Sequence, residues 1–159
     1  MKNLEKHNSV LNKLLAKYKS DENVIGIYLF GSLSKNIATE KSDIDLEIIF
    51  KKRRKDYELL HKKIDGIKVD LSLYDKKKFL HDFIKRPYNQ YAALNNKILY
   101  DPDGILKRYL RDIKQYFKKN PEILKYWKTK EIEWKKAKKE GRKGTAENYF
   151  DIMKKLEKR

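Results

Sequence analysis

Apolar residues recur along the chain with two different periods. Leu4, Leu11, Leu14, Leu15 and Tyr18 fall near one face of a 3.6-residue spiral, with lysines elsewhere, so residues 4–18 predict an amphipathic helix. "NVIGIYLF" (23–30) reads as a buried strand ending at Gly31. "DIDLEIIF" (43–50) alternates: Ile44, Leu46 and Ile48 point to the core and leave Asp43 and Asp45 on the opposite face. "RKDYELLHKKI" (54–64) predicts a charged helix, and Asp65-Gly66 a turn. "IKVDLSLY" (67–74) is a third strand, with Ile67, Val69, Leu71 and Leu73 on one face and Lys68, Asp70 and Ser72 on the other.

A helix is expected from Lys76 to Pro87. "KILYDPDG" then gives a short strand closed by a turn at Pro102 to Gly104, and "ILKRYLRDIKQYF" begins another helix. Pro121 is placed to open a helix carrying Ile123, Leu124, Trp127 and Trp134. "EGRKG" interrupts it, and "TAENYFDIMKKL" forms a last helix with Thr145 as its cap. The order predicts an α/β fold: a short mixed twisted sheet backed by helices over residues 1–106, followed by a helical appendage over 107–159.

Composition changes this picture in two ways. The 159 residues include no cysteine, which excludes disulfides and thiolate metal sites. The net charge of +17 is uneven: residues 1–106 carry 21 Lys/Arg against 15 Asp/Glu, and residues 107–159 carry 19 against 8. So basic an appendage suits an anionic partner, or is a solvated helical face. The N-terminus lacks an apolar run of signal-peptide length and no segment approaches membrane-spanning length, so a soluble cytoplasmic protein without a membrane partner is expected.

The candidate chemistry lies in "YLFGSLSKNIATEKSDID" (28–45). Asp43 and Asp45 repel each other unless a cation sits between them, and a hard divalent ion such as magnesium prefers oxygen ligands. Asp70 can join them if its strand is a neighbour. Gly31 and Ser32 supply a turn whose backbone N–H groups and hydroxyl can approach a phosphate closely, with Lys35 a further candidate phosphate contact.

Phe30, Gly31 and Ser32, a spacer, Asp43-Ile44-Asp45 and the later strand residue Asp70 together resemble the DNA-polymerase-beta-like nucleotidyltransferase superfamily, over roughly the first two-thirds of the chain. "NNKILYDPDGIL" also resembles the segment that closes the catalytic domain of small members, including antibiotic nucleotidyltransferases. The resemblance implies the nucleotidyltransferase fold. It implies transfer of a nucleoside monophosphate from an NTP, ATP by expectation, to an acceptor hydroxyl with release of pyrophosphate. Two Mg2+ ions are expected on Asp43 and Asp45, with Asp70 as third ligand or base, and the nucleotide phosphates on Gly31, Ser32 and Lys35. The run Leu33-Ser34-Lys35-Asn36 departs from the Arg and second Gly that many minimal members carry after Gly-Ser.

The acceptor stays open: a partner protein, as in antitoxins of the minimal-nucleotidyltransferase type, an RNA, or an antibiotic, with a non-catalytic nucleotide- or RNA-binding module as the alternative class. An aminoglycoside is disfavoured by the positive appendage. Glu47 shares the face of Asp43 and Asp45 but reads as a solvated strand residue or a group behind the ligands. His7, His61 and His81 read as surface residues, and Trp127 and Trp134 as the apolar stripe that docks the appendage.

Overall fold

The structure, a computed structural model, describes residues 4–142. In chain order the elements are α1 (Glu5–Lys19), β1 (Val24–Phe30), the single turn α2 (Gly31–Ser34), β2 (Ile44–Phe50), β3 (Tyr57–Ile64), β4 (Ile67–Asp75) and α3 (Lys76–Lys85). Two 3₁₀ turns (Pro87–Asn89 and Tyr91–Asn95), β5 (Lys97–Tyr100), α4 (Ile105–Lys119) and α5 (Pro121–Lys139) follow. The five strands form one mixed sheet in the order β3-β4-β2-β1-β5. Only β2 and β4 run parallel; the other pairs are antiparallel.

The expected helix over 54–64 is instead largely strand β3. The Asp65-Gly66 turn, with φ of 49° and 83°, is a two-residue hairpin of the kind that returns a strand antiparallel on itself. It pairs β3 with β4 from Ile64↔Ile67 back to Tyr57↔Tyr74. The side chains alternate accordingly: Tyr57 reaches Tyr74 on one face, while Leu60 and Ile64 pack on the other. Local charge favoured neither state, and the hairpin decided it. The helix expected over "TAENYFDIMKKL", with its cap at Thr145, lies outside the described residues.

Alternation divides the sheet into two faces. Ile27, Leu29, Ile44, Leu46, Ile48, Val69, Leu71 and Leu73 pack against Val10, Leu14 and Tyr18 of α1. The opposite face places Tyr28 and Ile49 against Phe79 of α3 and Leu106, Tyr109, Ile113 and Phe117 of α4. Trp127 of α5 joins this second core: its Nε1–H donates to the carbonyl of Tyr88 over 2.7 Å, and its ring stacks on Tyr91 at 7° between planes. Trp127 is thus buried in the seam, whereas Trp134 is 39% exposed.

Side chains cap the helices that close this face. Asp75 accepts from the Lys77 N–H at the start of α3. Asp101 accepts from the N–H groups of Leu106 and Lys107 at the start of α4. Among the described residues no helix is long and apolar enough to cross a membrane.

Candidate active site

Strand order brings together residues that the sequence keeps apart. Asp45 on β2 has Phe30, the last residue of β1, as its partner on one side and Asp70 of β4 on the other. Gly31 at the end of β1, Asp45 and Asp70 therefore stand in sequence across three adjacent strands. Asp43 sits one residue before β2 begins, in a partly buried position.

Gly31 adopts φ +73°, which L side chains rarely accept, and a Cβ there would overlap the Asp45 carboxylate at Oδ2. Glycine at this position allows Asp45 to lie directly against the turn. Ser34 Oγ–H donates to the Gly31 carbonyl over 2.9 Å and braces the turn from below. Four residues are too few for a helical dipole of consequence, so the turn offers only its own N–H groups and the hydroxyl of Ser32.

The electrostatics follow from this packing. Burial pushes the Asp45 carboxyl up to about 6, and the charges of Asp70 and Asp43 push in the same direction. Neither Asp43 nor Asp45 makes a hydrogen bond or ion pair among the described residues. Asp70 is engaged: Oδ1 accepts from Nδ1 of His61, opposite it on β3, over 2.7 Å. With Asp70 held there, the described residues contain no group of three or more acidic or histidine side chains arranged to hold a metal ion. The pair Asp43 and Asp45 is an all-oxygen, hard donor set with unrelieved like charge, which fits a divalent ion; Asp70 stands beside it but is turned to His61.

Lys35, the expected phosphate contact, follows the turn and faces α5. Its Nζ lies 3.9 Å from Glu131 Oε1 of α5, the carboxylate that also accepts from Tyr91 Oη–H (2.6 Å) and pairs with Lys135 (2.8 Å).

Three residues play parts the sequence did not disclose. His7, expected at the surface, is 2% exposed, and its Nε2 contacts the Ser42 carbonyl over 2.8 Å. That contact ties α1 to the Thr39–Ser42 turn, itself closed by Thr39 N–H to Ser42 Oγ, and so fixes the approach to Asp43. His61 gains its role from the strand that replaced the expected helix. Glu47, expected as a solvated strand residue or a group behind the ligands, is partly buried beside a cavity of about 310 Å³ lined also by Phe30, Tyr74, Arg86, Gln90 and Asn96. Burial pushes its carboxyl up to about 7. His81 is exposed at the surface, as expected, with Nδ1 3.5 Å from Asp82.

A mixed five-stranded sheet with a glycine turn at the end of one strand and carboxylates on the next two defines the class of the fold as α/β with C-terminal helices. Residues 9–100 match the model of the nucleotidyltransferase domain family, and the chain belongs to that family; it is a nucleotidyltransferase that moves a nucleoside monophosphate. It is 32% identical over 142 residues to a Methanocaldococcus jannaschii protein named "Putative protein adenylyltransferase", covering 82% of this chain and 94% of the relative. The fold is similar to a crystal structure of a nucleotidyltransferase-like protein from Exiguobacterium sibiricum, with a TM-score of 0.53 and 13% identity over 65% of this chain. The match spans only 37% of that larger chain, so the likeness concerns the fold alone.

Proposed function

We propose that the protein transfers AMP from ATP to a hydroxyl group of a partner protein, releasing pyrophosphate, with Mg2+ held by Asp43 and Asp45. The observation that carries this reading is the uncompensated Asp45 carboxylate against the Gly31 turn, where burial and the like charges of Asp70 and Asp43 disfavour ionisation unless a cation is bound. Bound magnesium would supply charge neutralisation for the phosphates and acidify the acceptor hydroxyl. The N–H groups of the Gly31–Ser32 turn and the Ser32 hydroxyl hold the β- and γ-phosphates. The acceptor oxygen attacks the α-phosphorus, the bond from that phosphorus to the bridging oxygen breaks, and pyrophosphate leaves with the electron pair.

Asp70 lies on the far side of Asp45 from the phosphate turn, where an in-line acceptor must enter. Its Oδ2, the oxygen not bonded to His61, receives the hydroxyl proton. His61 holds the other oxygen and fixes the carboxylate plane. A protein acceptor is supported by the name of the Methanocaldococcus jannaschii relative. The basic α5 surface supports RNA as the competing acceptor, since lysines there can meet a phosphate backbone.

The test is label transfer from α-labelled ATP and Mg2+ into a lysate of the source organism. Label that resists ribonuclease and is removed by protease is expected, and it disappears with Asp45→Asn. Ribonuclease-sensitive label transfers the assignment to RNA. Absence of both label and Mg2+-dependent ATP binding overturns the reading.

A further inference from the structure

Glu47 is a carboxylate that the reaction outlined above does not use. It lies two residues beyond Asp45 on the same face of β2, so the two Cα atoms are about 7 Å apart along the strand. It makes no hydrogen bond or ion pair among the described residues, although it is partly buried at the edge of the 310 Å³ cavity. A carboxylate kept in such a place without a donor is a vacant acceptor, and its placement is costly unless a ligand supplies the donors.

The geometry of the transfer indicates which part of the ligand reaches it. In-line displacement runs across the strands, from the Gly31 turn at the end of β1, over Asp45 on β2, to Asp70 on β4. Leaving group and acceptor occupy the two ends of that line. The nucleoside, the remaining substituent on the α-phosphorus, must therefore leave along the strands. In one direction it passes Asp43 and meets the hydrogen-bonded Thr39–Ser42 turn. In the other it passes Glu47 and enters the cavity. One strand repeat from Asp45 is the span of a sugar ring, and the base lies beyond it, where Gln90 and Asn96 stand. The Gln90 carbonyl is already bonded by Tyr109 Oη–H at 2.7 Å, which leaves its amide N–H groups as donors to a base.

We propose that Glu47 is the sugar-reading residue of the site: its carboxylate accepts hydrogen bonds from the 2′ and 3′ hydroxyls of the bound nucleotide, whose base occupies the cavity between Tyr74 and the amides of Gln90 and Asn96. The assignment rests on the nucleotidyltransferase reading and makes the enzyme selective for ribonucleotides. Two oxygens on one planar group match a vicinal diol, which neither an isolated amide nor a hydroxyl does equally well.

The test needs no acceptor. Titration calorimetry with Mg2+ compares ATP, 2′-deoxyATP and 3′-deoxyATP on the wild-type protein, Glu47→Gln and Glu47→Ala, each checked for an unchanged folded state by thermal melting. The wild type is expected to bind ATP about ten- to a hundredfold more tightly than either deoxynucleotide, the range of a hydrogen bond to a charged group. Glu47→Gln narrows the gap and Glu47→Ala closes it, by weakening ATP to the level of the deoxynucleotides. Equal wild-type affinity for all three, or discrimination that survives in Glu47→Ala, overturns the proposal alone. So does an equal loss of all three affinities, which would make Glu47 a metal-side ligand. Failure of the wild type to bind any of the three overturns the nucleotidyltransferase reading, and this proposal with it.

Discussion

The two faces of the sheet are built from the same strands by alternate residues, and they are opposites. On the α1 side Ile44, Leu46 and Ile48 are each fully buried among aliphatic neighbours. On the other side Asp45 and Glu47, interleaved with them, are partly buried, carry raised pKa values and lie without ionic partners among the described residues. Along β2 the aliphatic positions contribute free energy of folding and the two carboxylates consume some of it, although Tyr28 and Ile49 on the carboxylates' own face anchor the second core. The comparison shows how a small domain tolerates a destabilised site: every position that weakens the fold is flanked in the chain by one that strengthens it.

That contrast can be broken most severely on the polar side. Asp45→Asn is expected to lower transfer at least about a thousandfold, some 4 kcal/mol of transition-state stabilisation. Its melting temperature should equal or exceed that of the wild type, because like-charge repulsion is relieved. A label-transfer rate beside a thermal melt decides it, and an active variant would remove Asp45 from the site. On the apolar side Leu46→Ala should cost about 2–5 kcal/mol of stability by chemical denaturation. Turnover per folded molecule should change little.

Gly31→Ala joins the two sides at their boundary. The left-handed backbone costs about 1–2 kcal/mol for an L side chain. The overlap with Asp45 Oδ2 should cost activity out of proportion to that strain. A variant whose loss of activity is no greater than its loss of stability would mean that Asp45 does not depend on the turn.

The smallest effect is a pH dependence. Asp45 and Glu47 titrate near 6 and 7 in the fold but near 4 when unfolded, so the folded state binds their protons more tightly. Without metal, stability should rise by about 1 kcal/mol, after allowance for solvent screening, as pH falls from 8 to 5. Below about pH 4 it is lost again, as Asp75 and Glu58, whose folded carboxyls titrate below their usual range, become protonated. Mg2+ should raise the melting temperature most at pH 8 and least at pH 5, where protons compete with it. Scanning calorimetry at three pH values checks the sign; a monotonic loss of stability from pH 8 to 5 would contradict the raised values.

Alternation made the α1 face legible from the sequence, because residues 44–48 of β2 and 67–73 of β4 alternate apolar with polar side chains. Gly31, Asp45 and Asp70 could be proposed as neighbours on the same ground, since a glycine turn and strand carboxylates announce themselves locally. What stayed hidden depended on which strands pair. Tyr57–Ile64 carries a charged, mixed pattern that either helix or edge strand can accept, so His61 could not be placed opposite Asp70. His7 looked like one more polar residue on a lysine-rich helix; its burial depends on the Ser42 carbonyl 35 residues away. Glu47 could be read only as a solvated residue or a group behind the ligands because nothing near it in the chain forms the cavity, whose other walls come from Phe30 and from residues between Tyr74 and Tyr109.

The parallel pairing of β2 with β4 has a consequence for how the chain acquires its structure. These two strands meet only after β3 has been laid down between them in the chain and then placed outside them in the sheet. The β3–β4 hairpin closes over a two-residue turn and can form within about 1–10 μs, whereas the β2–β4 register requires a crossover of higher loop entropy. Asp45 and Asp70, 25 positions apart and of like charge, come together in that later step. By the same measure the β1–β5 pairing, which joins Ile27 to Tyr100, is later still, so the candidate active site assembles after the hairpin and before the sheet edge is closed. Divalent cations should then accelerate that intermediate step as well as stabilise its product, a difference visible in refolding traces recorded with and without magnesium.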